Sequence, residues 1–291
     1  MKEKYSRKDF LKFIGLGTAA LSFPGYKIFR ESSYKPKIGI QLYTIRKEIE
    51  KDFEGSIKKV AETGYSGVET YFLPAEISLE RASKVLNDAG LTIFSMHAEL
   101  PVKENREAAL KMADAYKSDL IVYHGWPPDD RYKNTDALKH MVEVYNEISS
   151  FLKSKGLRFG LHNHWFEFEK NDEGIYPFYY LLENLDKDMI FELDTYWVKT
   201  AGLDPAKVVG DFGRRAPLLH IKDGPAVKGD LMYKHVPVGQ GNLDFKSIAE
   251  AGGENIKWMI VEFDEYEKNI FDGIRESYSY LAGNGLGEGG K

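Results

Sequence analysis

Eight short apolar runs alternate with segments of helical periodicity, and this alternation limits the folds open to the chain. The runs are 38–44 (IGIQLYT), 66–71 (SGVETY), 92–100 (TIFSMHAEL), 120–126 (LIVYHGW), 158–164 (RFGLHNH), 189–197 (MIFELDTYW), 217–223 (PLLHIKD) and 257–265 (KWMIVEFDE). Between them, 53–64, 79–90, 106–118 and 136–156 carry apolar residues at helical spacing. Three of these segments end at Gly64, Gly90 and Gly156, as helix C-termini do. Eight strand–helix units in roughly 250 residues match an α/β architecture, the (β/α)8 or TIM barrel. A doubly wound open sheet would place a glycine-rich turn after its first strand. IGIQLYTIRKEI has none.

The polar residues fall where a barrel builds its active site, at the C-terminal ends of the strands. Five of the seven histidines end a predicted strand: His97, His124, His162, His164 and His220. Glu69, Glu192, Asp194, Lys222, Glu262 and Asp264 cluster there too. Strand alternation puts Glu192 and Asp194 on one face, as it does His162 with His164, His220 with Lys222, and Glu262 with Asp264. One carboxylate from strand 6, one imidazole from strand 7 and one carboxylate from strand 8, with a fourth ligand from strand 5, make a divalent-metal site with open positions for substrate.

Composition narrows the partners. The 291-residue chain is 43% hydrophobic and 29% charged, as a globular protein is. A net charge of −5 with no basic stripe speaks against nucleic acid. There is no cysteine, so a metal must be held by His, Asp and Glu, which suits Mn, Co, Zn or Mg. Residues 1–34 stand apart, with a basic start and then an apolar Gly/Ala-rich stretch. SRKDFLK (Ser6–Lys12) resembles the twin-arginine export motif, with Lys8 where the second arginine belongs. The expectation is an exported, periplasmic protein, touching a membrane only through that segment if it is retained. The barrel is expected over 35–283, with the glycine-rich 284–291 as a flexible tail.

LHNHWFEF (161–168), FELDTYWV (191–198), PLLHIKD (217–223), VPVGQGNLDF (236–245) and IVEFDE (260–265) occur in this order. Together they resemble the sugar phosphate isomerase/epimerase superfamily with its xylose-isomerase-like barrel, in the branch reading Y-H-N-H-x-F-E-F. Leu161 replaces the tyrosine. The resemblance covers about residues 37–280 and implies one divalent metal held by residues of strands 5 to 8. Asp194, His220 and Glu262 fill the last three places. The strand-5 ligand is either Glu167 or His162, and Glu167 is preferred because it restores three carboxylates to one imidazole. The resemblance further implies Glu262 as acid/base, with Glu167 or His162 as its partner. Lys222 would stabilise substrate oxygen.

Such a site would act on a ketone next to a hydroxyl, through a metal-stabilised enediolate. The substrate expected is a small keto-sugar or keto-glycoside, unphosphorylated if the chain is exported. His97, His124, His164, Trp126 and Glu69 are the candidate substrate contacts, and a homo-oligomer is possible. Isomerase, epimerase and lyase all remain open. The alternatives are a metal-dependent endonuclease-like barrel and a non-catalytic carbohydrate-binding barrel.

Overall fold

Each of the eight apolar runs contains a strand. They are β1 Lys37–Gln41, β2 Gly67–Thr70, β3 Thr92–Ala98, β4 Leu120–Tyr123, β5 Arg158–His162, β6 Ile190–Asp194, β7 Leu218–Ile221 and β8 Trp258–Val261. In the computed structural model, which describes residues 34–290, all pair in parallel and close a barrel in sequence order. The export-like segment, apart from Tyr34, lies outside the described residues. Among the described residues no helix is long and apolar enough to cross a membrane.

The four helices expected from periodicity form as α1 Phe53–Thr63, α2 Leu79–Asp88, α3 Asn105–Tyr116 and α4 Thr135–Lys153. Asp52, Ser78 and Asn134 cap α1, α2 and α4 by accepting from the N–H of Gly55, Arg81 and Ala137. One run is shorter than its sequence indicates. FELDTYW leaves the strand at Asp194, because Asp194 Oδ1 accepts from the N–H groups of Tyr196 and Trp197 and starts the helix Thr195–Thr200. That cap uses one carboxylate oxygen and leaves Oδ2 facing the barrel mouth.

The barrel interior is layered. Phe94 stacks on Trp258 at 3.9 Å, packed with Leu120, Val122, Ile190, Leu218 and Ile260. Gly39 makes room for this pair, since a Cβ there would lie 2.6 Å from Phe94. A register shift between β2 and β3 pairs Val68 with Ile93 but Glu69 with Ser95. The odd residue, Phe94, therefore joins the apolar layer, while Ser95 and His97 join the polar layer above it.

Residues 284–290 are not a free tail. Glu288 bridges to Lys37 at the start of β1 and accepts from the N–H of Ile38 at 2.9 Å. The Glu288 N–H donates to Pro36 O and the Gly290 N–H to Gly64 O. A glycine-rich sequence suggests flexibility, but these bonds are made by backbone alone.

Candidate active site

The polar layer begins at Gln41 and Glu69, on the last residues but one or the last of their strands. Gln41 Nε2 donates to Glu69 Oε1 at 2.7 Å, and Ser95 Oγ donates to Oε2 at 2.6 Å. His220 is the hub. Its Nε2 lies 2.8 Å from Glu69 Oε1 and 3.2 Å from Glu192 Oε2, and its Nδ1 lies 2.6 Å from Glu262 Oε2. Glu192 Oε2 is also hydrogen-bonded to His97 Nε2 at 2.6 Å and His162 Nδ1 at 3.1 Å. Above this ring Lys222 Nζ sits among Asp264 Oδ2 at 2.8 Å, Glu262 Oε2 at 2.9 Å and Asp194 Oδ2 at 3.1 Å, over the Trp197 ring.

These contacts set the charges. Burial disfavours the charged form of His220, but Glu192 and Glu262 outweigh it and hold its pKa well above the ordinary value. Lys222 is likewise buried, and Asp194, Asp264 and Glu262 keep it charged. Burial would raise Glu262, yet Lys222 and His220 pull it well below the usual range. Burial raises Asp194 to about 6, and burial with the nearby Glu192 raises Glu69 to about 7. Burial lowers His97, His162 and His164, so all three are neutral imidazoles at neutral pH.

The donors suit a divalent cation. His97, His162, Glu192 and His220 each offer an atom within 4.8 Å of the others, and so do Asp194, His220 and Glu262. Glu192 Oε1 is buried without a hydrogen-bond partner; so is Asp194 Oδ2, which has the Lys222 ammonium at 3.1 Å and His220 Nδ1 at 3.9 Å. Glu69, Glu192, Asp194, Glu262 and Asp264 bring five carboxylates against the cations of Lys222 and His220. Buried carboxylates in such excess are stabilised by a bound cation.

The structure brings together Asp194, His162, His220, Lys222, Glu262 and His97. It does not bring Glu167 to them, which corrects the preference for that residue as strand-5 ligand. Phe166–Phe168 form a turn of 3-10 helix that buries Phe168 in the core. Glu167 is thereby turned toward the β4 loop, where its Oε2 accepts from the His164 N–H and its Oε1 faces Gly125. His162 is the strand-5 residue at the ring. Glu69, expected to touch substrate, is fully buried beneath the ring instead. Gln41 and Ser95 were missed by sequence reasoning. Gln41 ends β1 at the site end of the barrel, which is the signal that could have found it; Ser95 had none, because its orientation depends on the register shift.

A cavity of ≈ 660 Å³ opens above the ring. His97, His162, Lys222 and Glu262 line its floor, and His124, Trp126 and His164 line its wall.

Comparison with known proteins agrees with the barrel fold. The sequence model of the xylose isomerase-like TIM barrel family matches residues 57–282. No curated protein sequence matches the chain. Among solved structures, a sugar phosphate isomerase/epimerase from Parabacteroides distasonis is 25% identical, with a TM-score of 0.70 over 86% of this chain and 95% of that one. A probable 3-DHS dehydratase from Bacillus anthracis is 15% identical, with a TM-score of 0.68 over 84% of this chain and 98% of that one. A D-allulose 3-epimerase from Methylomonas sp. is 14% identical, with a TM-score of 0.62 over 86% of this chain and 98% of that one. The last two likenesses concern the fold.

Proposed function

The chain belongs to the xylose isomerase-like TIM barrel family, and from that premise we propose that it is a divalent-metal-dependent isomerase, epimerase or lyase of keto-sugars or keto-glycosides. The observation that carries this reading is the buried ring of carboxylates and imidazoles at the floor of an open cavity. Asp194, His220 and Glu262 would hold the cation, with His162 as the strand-5 donor and Glu192 beside it. A cation there supplies Lewis acidity to a ketone oxygen and its neighbouring hydroxyl, which acidifies the C–H between them.

The chain's own residues do the rest. Glu262 is ionised, reaches the cavity floor and is the group placed to accept the proton. His162, a neutral imidazole on the same floor, is its partner. Lys222 keeps a fixed positive charge at the floor, where it stabilises negative charge developing on a substrate oxygen. His97, His124 and His164 offer ring nitrogens to hydroxyl groups. Return of the proton to the other carbon isomerises, return to the opposite face epimerises, and loss of a β-substituent makes the enzyme a lyase. The export-like N-terminus supports an unphosphorylated substrate.

The test is deuterium exchange at the α-carbon, followed by NMR, on unphosphorylated ketoses and 3-keto-glycosides with added Mn or Co. Stoichiometric divalent metal is expected in the purified protein. H220A and E262A are expected to lose metal and to lower exchange by about 10³-fold. If both variants keep metal content and turnover, the reading is wrong.

A further inference from the structure

We infer that the substrate is an uncharged keto-glycoside, with its keto ring on the polar floor and its glycosidic substituent against an aromatic rim. This rests on the function proposed above and names the substrate class for that same site. The cavity, at ≈ 660 Å³, lies in the range of sites for drug-sized ligands. Its floor is polar, with His97, His162, Lys222 and Glu262, and a single sugar ring satisfies these groups. The walls above are aromatic: Tyr43, Tyr71, Phe72, Trp126 and Tyr233. Phe72 is 50% exposed, Trp126 43% and Tyr43 37%, and they stand on separate segments, the loops after β2 and β4 and the 3-10 turn Leu42–Ile45 after β1. Rim and floor line one continuous cavity, so one molecule that occupies the floor and extends outward covers the rim.

The rim is held in place before any ligand arrives. Tyr43 meets Tyr71 edge-on at 5.6 Å, and Phe72 meets His124 edge-on at 5.7 Å. Arg131 fixes the Trp126 loop by donating to Gly125 O, Pro127 O and the Tyr123 hydroxyl. Exposed aromatic faces held rigidly lose little entropy on binding and suit the flat apolar face of a second ring.

The charges disfavour a phosphate. The cavity is lined by two cations, Arg46 and Lys222, and three carboxylates, Glu262, Asp264 and Glu265. Lys222 is already among carboxylates. The Arg46 guanidinium donates to Tyr43 O, Asp264 O and Glu265. With Glu262 committed to the cation, an anionic group reaching beyond the floor would meet Asp264 and Glu265, with Lys222 and Arg46 already engaged by them.

The experiment uses the full chain loaded with Mn and compares exchange on a free 3-keto-hexose, its phenyl glycoside, a 3-keto-disaccharide and a ketohexose phosphate. KM is expected to be about tenfold lower for the two glycosides than for the free sugar. F72A and W126A should shrink that ratio toward one, and W126F, which keeps an aromatic face, should retain most of it. In parallel, unreactive phenyl glucoside should quench tryptophan fluorescence saturably where methyl glucoside does not. Equal KM values, a lowest KM for the phosphate, equal losses on all substrates in F72A and W126A, or a change of oligomeric state in F72A each overturn the inference. Exchange without glycoside preference sinks this inference and leaves the proposed function standing. Selective phenyl glucoside binding with no exchange on any substrate sinks the proposed function and the substrate assignment with it, and leaves only the rim as a glycoside-binding surface.

Discussion

Glu167 Oε2 accepts one hydrogen bond from the His164 N–H, while Oε1 is buried without a partner. Burial pushes its pKa up to about 8, against the opposing pull of that N–H. The unfolded chain releases this proton near the ordinary value of 4.5, so between there and about 8 the folded state binds more protons. The contribution to stability is therefore full below the unfolded pKa and falls as pH rises through the folded one, by at most about 1.4 kcal/mol per pH unit. Glu167→Gln keeps the shape and removes the titration. Urea unfolding at pH 5, 7 and 9 should show the wild type losing stability relative to this variant as pH rises, with metal content unchanged in both. Parallel pH curves would show that Glu167 does not keep its proton. Lys222 has the opposite role, a fixed cation among carboxylates. Lys222→Met leaves Asp194, Glu262 and Asp264 short of one positive charge and should cost about 3–5 kcal/mol in metal-free protein. Added Mn should raise the Tm of this variant more than that of the wild type; an equal rise would show that the ammonium and the cation do not share these carboxylates.

Strands were legible because residues two apart share a face, and the apolar runs carried this pattern through β4, β5, β7 and β8. The same rule placed His162, Asp194, His220 and Glu262 on the inward face before their contacts were known. It fails in β3, where Phe94 and Ser95 are adjacent in sequence yet both reach the interior. It also says nothing of Glu167, whose direction is set by a single turn of 3-10 helix that sends Phe168 into the core. The helix start at Thr195 was hidden because TYW has a strand-like composition, and only the Asp194 cap overrides it. The β3 shift has an energetic consequence. Phe94 fills the space above Gly39, so Gly39→Ala should destabilise the barrel by about 1–3 kcal/mol through overpacking. Phe94→Ala should cost about 3–5 kcal/mol through the cavity it leaves beside Trp258. In the double variant the alanine at 39 no longer meets the ring, so the combined loss in urea unfolding should be smaller than the sum. Additive losses would mean that the two positions do not compete for the same space.

At the scale of the whole molecule, the barrel separates what reacts from what closes it. The proposed metal ligands and the cavity residues lie at the C-terminal ends of the strands, whereas the 284–290 strap lies at the N-terminal end of β1. Its sequence gives no sign of this, because backbone hydrogen bonds leave no side-chain pattern and glycine usually marks freedom. Gly287 is needed for the contact itself, since a Cβ there would lie 2.7 Å from the Ile38 side chain. Three backbone hydrogen bonds tie the strap to the barrel, from Ile38 N to Glu288 O, Glu288 N to Pro36 O and Gly290 N to Gly64 O. Each is worth about 0.5–1.5 kcal/mol net. Truncation after Gly285 should therefore lower unfolding free energy by about 2–4 kcal/mol and speed amide exchange at Ile38. Divalent-metal affinity should stay the same, because the proposed ligands sit on the opposite face, where barrels place chemistry rather than stability. A truncated chain that keeps its helical circular dichroism but loses its metal would show that the two ends are coupled through the strands. The separation of roles would then not hold for this barrel.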